Sequence, residues 1–249
     1  MNRPVSLACF GIFLLGIFVC SAQETPQKRK PLSEPMWSKI LPGDIVFIRS
    51  RTANAPLIAA LSNVDAANDA DDVFTHCGIV FKDTDGELKV YEGEGRGPGL
   101  WLTLGEWQKK VSTGKVNGVA KDDRHNIYVL RWNGTPGLAA GLGKLLEKAK
   151  ALHDTEYDHG FSWSDKRAYC SELIWKAFDA GGLKLGELPK MKKYVDGAPP
   201  EIAKQIKGKL NDAKVEFRNG EGYLPEESAV SPEDIFKSSV LTPVTDDSP

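Results

Sequence analysis

The stretch Thr75-His76-Cys77-Gly78-Ile79-Val80-Phe81-Lys82-Asp83-Thr84-Asp85-Gly86-Glu87-Leu88-Lys89-Val90-Tyr91-Glu92 decides how this chain folds. Two runs rich in β-branched and aromatic residues flank Asp83-Thr84-Asp85-Gly86. Asp first and Gly fourth are the chemistry of a type I turn followed by a left-handed glycine and a bulge, which joins two antiparallel strands. In that register Asp83 pairs with Glu87, Gly78 lies opposite Glu92 and His76 opposite Glu94. Side chains alternate across a sheet, so one face carries His76, Glu92 and Glu94, and the other Cys77, Ile79, Phe81 and Tyr91. A four-residue loop would move Glu92 to the opposite face. The turn residues favour the first arrangement.

Tyr169-Cys170-Ser171-Glu172-Leu173-Ile174-Trp175-Lys176-Ala177-Phe178 reads as a short apolar helix that begins near Cys170 and stops at Gly181-Gly182. A helix N-terminus favours a thiolate over a thiol, and a nearby imidazolium favours it further. Cys170 also falls on the apolar stripe with Leu173, Ile174 and Ala177, which is the pattern of a core cysteine. Thiol hydrolysis needs a thiolate, an imidazole and a group that orients the imidazole. Cys170, His76 and either Glu92 or Glu94 are of the right types. Spacing alone does not bring the strand face to the helix end.

The 249 residues carry a formal net charge of -2, which argues against a nucleic-acid binder. Asn2-Arg3, the apolar run Leu7 to Val19 and Cys20-Ser21-Ala22 read as a signal peptide over residues 1–22, so the expected location is secreted or periplasmic. A lipoprotein anchored at Cys20 is the alternative, and membrane association is expected only in that case. The mature chain keeps Cys77 and Cys170, either as one disulfide or as a reactive thiol beside a buried one. Residues 23–40 read as a linker, and 41–249 as one domain with a variable insertion near 186–224 that holds an amphipathic stretch, Pro200 to Lys209. Further elements are a strand after the Leu41-Pro42-Gly43-Asp44 turn, a short helix around Pro56 to Leu61 and another over Thr103 to Val111. Asn126 to Trp132 reads as a strand, followed by a helix from an N-cap at Thr135 towards His153 and a last helix opened by Ser231-Pro232. His125, His153 and His159 lack metal-ligand pairing such as H-x-x-x-H or C-x-x-C, so neither a metal nor another cofactor is expected. The tryptophans read as core.

Taken in order, Leu41-Pro42-Gly43-Asp44-Ile45-Val46-Phe47, Thr75-His76-Cys77-Gly78-Ile79-Val80, Val90-Tyr91-Glu92, Tyr157-Asp158-x-x-Phe161 and Tyr169-Cys170-Ser171-Glu172-Leu173 resemble the YiiX-like family. These are permuted papain-fold proteins related to NlpC-type cell-wall peptidases and to lecithin:retinol acyltransferase. The resemblance runs from about Leu41 to Thr242 and is poor over 186–224. It implies an α+β fold, circularly permuted and papain-like, with the cysteine helix packed on an antiparallel, partly barrelled sheet. It implies Cys170 as nucleophile, His76 as base and Glu92 as the group orienting the imidazole, with Tyr157 and Tyr169 at the substrate or oxyanion. The implied function is a cysteine hydrolase that cleaves an amide bond through an acyl-enzyme, on a peptide or N-acyl amide of cell-wall origin. A lipid acyltransferase or thioesterase acting on a lipid amide with the same dyad is the first alternative. A non-catalytic ligand-binding module is the second. Cys77 stands where the family commonly has an aliphatic residue. If His76 faces the site, alternation turns Cys77 away from it, and both thiols are expected to be free.

Overall fold

The sheet begins at a turn that only glycine fits easily. Gly43 has φ +94°, in the left-handed region, and its N–H donates to the Val80 carbonyl at 2.8 Å. Asp44 then closes the turn by accepting from the Leu41 N–H at 2.8 Å. Its carboxylate is fully buried and takes a two-pronged contact from Arg131, Nε at 2.8 Å and Nη2 at 2.9 Å. Nη2 also donates to the Lys39 carbonyl at 2.6 Å. One guanidinium therefore ties together the turn, the chain before it and a strand more than eighty positions away.

The computed structural model describes residues 34–49, 74–93, 99–112, 115–116, 119–120, 127–212 and 222–245. All of these belong to one unit, Pro31–Pro249. The expected signal peptide, the expected helix around Pro56 to Leu61 and Glu94 lie outside the described residues. In chain order the elements are strands β1 (Ile45–Arg49), β2 (Phe74–Lys82), β3 (Leu88–Glu92) and β4 (Leu102–Thr103), helix α1 (Leu104–Ser112), then β5 (Lys115–Val116), β6 (Val119–Ala120) and β7 (Ile127–Trp132). Helix α2 (Thr135–His153), β8 (Glu156–Tyr157), β9 (Arg167–Ala168), α3 (Cys170–Ala180), α4 (Met191–Asp196), α5 (Pro200–Asp212), α6 (Pro232–Phe236) and β10 (Leu241–Pro243) follow.

Six strands form an antiparallel sheet in the order β10-β7-β1-β2-β3-β4. The order runs open from one edge to the other, so the sheet is not a closed barrel. Helices and an antiparallel sheet make the fold α+β. Between β2 and β3 the turn has the expected form: the Asp83 N–H donates to the Glu87 carbonyl and the Gly86 N–H to the Asp83 carbonyl, both at 2.9 Å, with Gly86 at φ +87°. The register pairs Gly78 with Glu92 and Ile79 with Tyr91.

Both faces of the sheet are covered, which explains why the central strands are apolar at almost every position. Ile45, Phe47, Cys77, Ile79, Phe81, Tyr91, Tyr128 and Leu130 pack with Leu145, Ala149, Leu173, Ile174 and Phe178 of α2 and α3. On the other face Val46, Ile48, Val80, Val90, Ile127 and Val129 pack with Leu104 and Trp107 of α1 and with Ile40. Glu34–Lys39, the end of the expected linker, is a 3-10 turn, and Trp37 packs on this second face. Within the expected insertion, Met191, Tyr194 and Val195 of α4 join Ile206 and Leu210 of α5 in a small core of their own. Tyr194 ties it to the main body by donating to Asp234 at 2.6 Å. The N-cap of α2 is Gly134, not Thr135, which lies inside the helix.

A test follows from the Asp44–Arg131 pair. Asp44→Ala strands a mostly buried guanidinium, and its cost in unfolding free energy is expected at about 3–5 kcal/mol, read from denaturant titration. Asp44→Leu with Arg131→Met removes both charges and should lie closer to wild type.

Candidate active site

Cys170 is the first residue of α3, and its helix start is held from both sides. The Tyr169 N–H donates to Glu172 Oε2 at 3.4 Å, a capping contact on the preceding residue. Ser171 Oγ donates to the Val230 carbonyl at 2.8 Å. The Val230 N–H donates to the Tyr169 hydroxyl at 3.1 Å. The residues flanking the cysteine are thus pinned to one backbone position. Tyr169, expected at the substrate or oxyanion, is only 2% exposed, and its hydroxyl is engaged by the Val230 backbone.

The sheet meets this helix start at Gly93, just past β3. A Cβ built there would lie 2.9 Å from the Cys170 nitrogen and 2.9 Å from the Tyr169 carbonyl carbon. Any other residue would push the helix off the sheet. On β2, pairing with β1 slips: Ile48 faces His76, but Arg49 faces Phe74, leaving Thr75 as an extra residue. Such bulges re-aim side chains, often beside functional sites.

His76 Nε2 lies 2.9 Å from Glu92 Oε2. Glu92 is 2% exposed. The Trp107 indole N–H donates to the same carboxylate oxygen at 2.9 Å, and Lys110 Nζ reaches Oε1 at 3.3 Å. His153 Nδ1 donates to the Glu92 carbonyl at 2.8 Å, so the backbone of this residue is fixed as well as its side chain. With Nε2 of His76 held by the carboxylate, Nδ1 is the nitrogen left for the Cys170 thiol, which interacts with the ring.

The charges follow from these contacts. Burial pushes the Glu92 carboxyl up, but His76, Lys110 and Trp107 outweigh it and hold the group at about 2. Burial pushes the His76 imidazole down, yet the charge and hydrogen bond of Cys170, and then those of Glu92, raise it to about 10. The Cys170 thiol is held well below its ordinary value, first by a hydrogen bond from the Cys77 side chain, against the opposing effect of burial, with the His76 charge and hydrogen bond adding. At neutral pH the arrangement is a thiolate and an imidazolium resting on a carboxylate.

Cys170, His76 and Glu92 therefore meet. Tyr157 pairs through its backbone with Ala168, two positions before Cys170, and its half-buried ring lies 4.8 Å from that of His159. Cys77 requires a correction. Alternation does separate it from His76, but α3 packs on the Cys77 face, so the two thiols share one core cluster and shift each other's ionisation, Cys77 upward and Cys170 downward. Both are free. Trp107, Lys110 and His153 escaped sequence reasoning. Trp107 and Lys110 stand one turn apart on α1, a spacing equally suited to a core residue beside a solvated lysine.

A family model for the permuted papain-like amidases, YaeF/YiiX, C92 family, matches residues 39–245. Uncharacterized protein YiiX of Escherichia coli (strain K12) is 30% identical over 210 residues, which is 83% of this chain and 87% of that protein. The crystal structure of metalloprotein yiiX from Escherichia coli O157:H7 superposes with a TM-score of 0.58 at 28% identity, over 84% of this chain and 98% of that one. The chain belongs to the permuted papain-like amidase family C92, of the YaeF/YiiX kind.

Proposed function

We propose that the protein is a cysteine amidase in which Cys170 is the nucleophile, His76 the acid and base, and Glu92 the residue that orients and charges His76. The observation that carries the reading is His76, hydrogen-bonded to a buried carboxylate at 2.9 Å and close enough to Cys170 that each shifts the other towards its charged form. The Cys170 thiolate attacks an amide carbonyl, and the negative charge on the carbonyl oxygen is met by the Cys170 N–H at the start of α3. His76 gives its proton to the departing amine, leaving a thioester. The neutral imidazole then takes a proton from water, which attacks the thioester and frees the acid. Glu92 stays ionised throughout, because its carboxyl sits at about 2.

The substrate we propose is a peptide or N-acyl amide of cell-wall origin, met outside the cytoplasm after removal of residues 1–22. Residues 41–249 then act as the catalytic domain, with 186–224 as its variable part. A metal enters the question because the related yiiX structure is described as that of a metalloprotein. Among the described residues of this chain no three His, Cys, Asp or Glu side chains converge as metal ligands. The donor set of the described residues does not fit a metal centre, and no step is routed through one.

Two measurements test the reading. On a panel of peptides, cell-wall fragments and N-acyl amides, Cys170→Ala and His76→Ala are expected to lower turnover by at least about a hundredfold; turnover that survives Cys170→Ala overturns the mechanism. Alkylation of Cys170 by iodoacetamide, followed by peptide mapping, should have a rate nearly flat between about pH 6 and 8, since an ordinary thiol ionises near 8.5 and would rise about tenfold per unit. His76→Ala should restore that rise. A sloped wild-type profile counts against the ion pair.

A further inference from the structure

We propose that Cys77 is a resolving thiol: oxidation of Cys170 by a peroxide is captured by Cys77 as a reversible Cys77–Cys170 disulfide that caps the nucleophile. The inference rests on the assignment of Cys170 as the reactive thiol and goes beyond it. Of the four cysteines, Cys9 and Cys20 lie in the N-terminal apolar stretch, so the domain itself holds only these two. They sit 93 positions apart in sequence yet share one core cluster: the register that pairs Gly78 with Glu92 brings Cys77 across from Gly93, and a Cβ built on Gly93 would lie 2.9 Å from the Cys170 nitrogen. Both are free in the structure.

A buried cysteine ordinarily behaves as a small hydrophobe, and here a valine would fill the core as well. What sets Cys77 apart is its place, on the sheet face that packs on α3 and beside the one sulfur the catalytic reading requires to be anionic. Cys77 is held on the central strand β2, paired with Phe47 of β1, and is fully buried, whereas Cys170 keeps 5% exposure. A small oxidant therefore meets Cys170 first.

The chemistry balances without further groups. The Cys170 thiolate attacks one oxygen of hydrogen peroxide, the O–O bond breaks, and hydroxide leaves, so sulfur is oxidised to the sulfenic acid and the peroxide is reduced. The Cys77 sulfur then attacks the Cys170 sulfur, the S–O bond breaks, and the hydroxyl leaves as water with the Cys77 proton. The sum is two thiols and one peroxide giving a disulfide and two waters, once the hydroxide takes up the proton that Cys170 had lost. A dithiol reductant reverses it. Without Cys77 the sulfenic acid has no neighbouring thiol; a second peroxide, reduced to water, oxidises it to the sulfinic acid, which ordinary thiols do not restore.

The test is intact-mass analysis of the reduced full chain after brief treatment with a roughly tenfold molar excess of hydrogen peroxide and acid quench. A loss of about 2 Da, a cross-linked peptide joining Cys77 to Cys170, and return of both mass and activity with dithiothreitol are expected. Activity should fall at least tenfold in the oxidised form and recover on reduction. Cys77→Val should instead gain about 32 Da on Cys170, without recovery. A wild type that gains about 32 Da with no cross-link overturns the proposal, and that measurement needs no variant to fold. Iodoacetamide labelling of reduced wild type separates the two levels: rapid labelling of Cys170 with no disulfide sinks only the resolving role, whereas an inert Cys170 sinks the nucleophile as well.

Discussion

A carboxylate taken almost wholly out of water is the constraint on which the site depends. Glu92 at 2% exposure would carry a cost of several kcal/mol if left alone. Its environment answers every part of that cost. Two cations and an indole N–H meet its oxygens, and His153 fixes its carbonyl. The result is a negative charge that does not titrate near neutrality and a His76 ring fixed in orientation. Once that ring is cationic, a thiolate beside it costs little. The order of cause runs from α1 and α2, which supply Trp107, Lys110 and His153, through Glu92 to His76 and then to the sulfur.

The hairpin was legible because its information is local. Asp83 and Gly86 specify the turn, the turn fixes the register, and the register places Glu92 across from Gly78 on the face of His76. Helix α3 was legible for a similar reason, since its apolar stripe ends at glycines and Gly182 takes φ +74°. The meeting of the two was not. It depends on Gly93 allowing backbone contact with Tyr169 and Cys170 and on a slipped residue in β2. Neither a lone glycine nor a bulge announces which distant helix will rest there. Resemblance to a family supplied that step.

The expectation for Cys77 shows where a correct rule leads to a wrong contact. Alternation does send Cys77 and His76 to opposite faces. The error was to let the face of His76 stand for the position of Cys170. Helix α3 lies on the Cys77 side with Ile79 and Phe81, and its first residue sits at the end of β3, where the histidine next to the bulge is also within reach. A site built at the end of a strand draws on both faces of a sheet. In the same way Tyr169, next to the nucleophile in sequence, points into the core, while Trp107, far from it in sequence, holds the carboxylate.

The same helix start must also avoid a conflict between anions. Glu172 stands two positions after Cys170, and an ionised carboxylate there would compete with the thiolate for the positive end of α3. It is fully buried, and that burial is the main cause that raises its carboxyl to about 8, against the opposing charge and hydrogen bond of Lys176. A neutral carboxyl still accepts from the Tyr169 N–H, and Lys176 Nζ lies 2.8 Å from its Oε1. Below about pH 8 the cap is therefore kept while the charge is withheld, and the helix terminus is left with one anion to stabilise. Two acids close to the nucleophile are driven in opposite directions by one physical difference: Glu92 is buried among donors that favour its anion, whereas burial dominates at Glu172 and leaves it the proton.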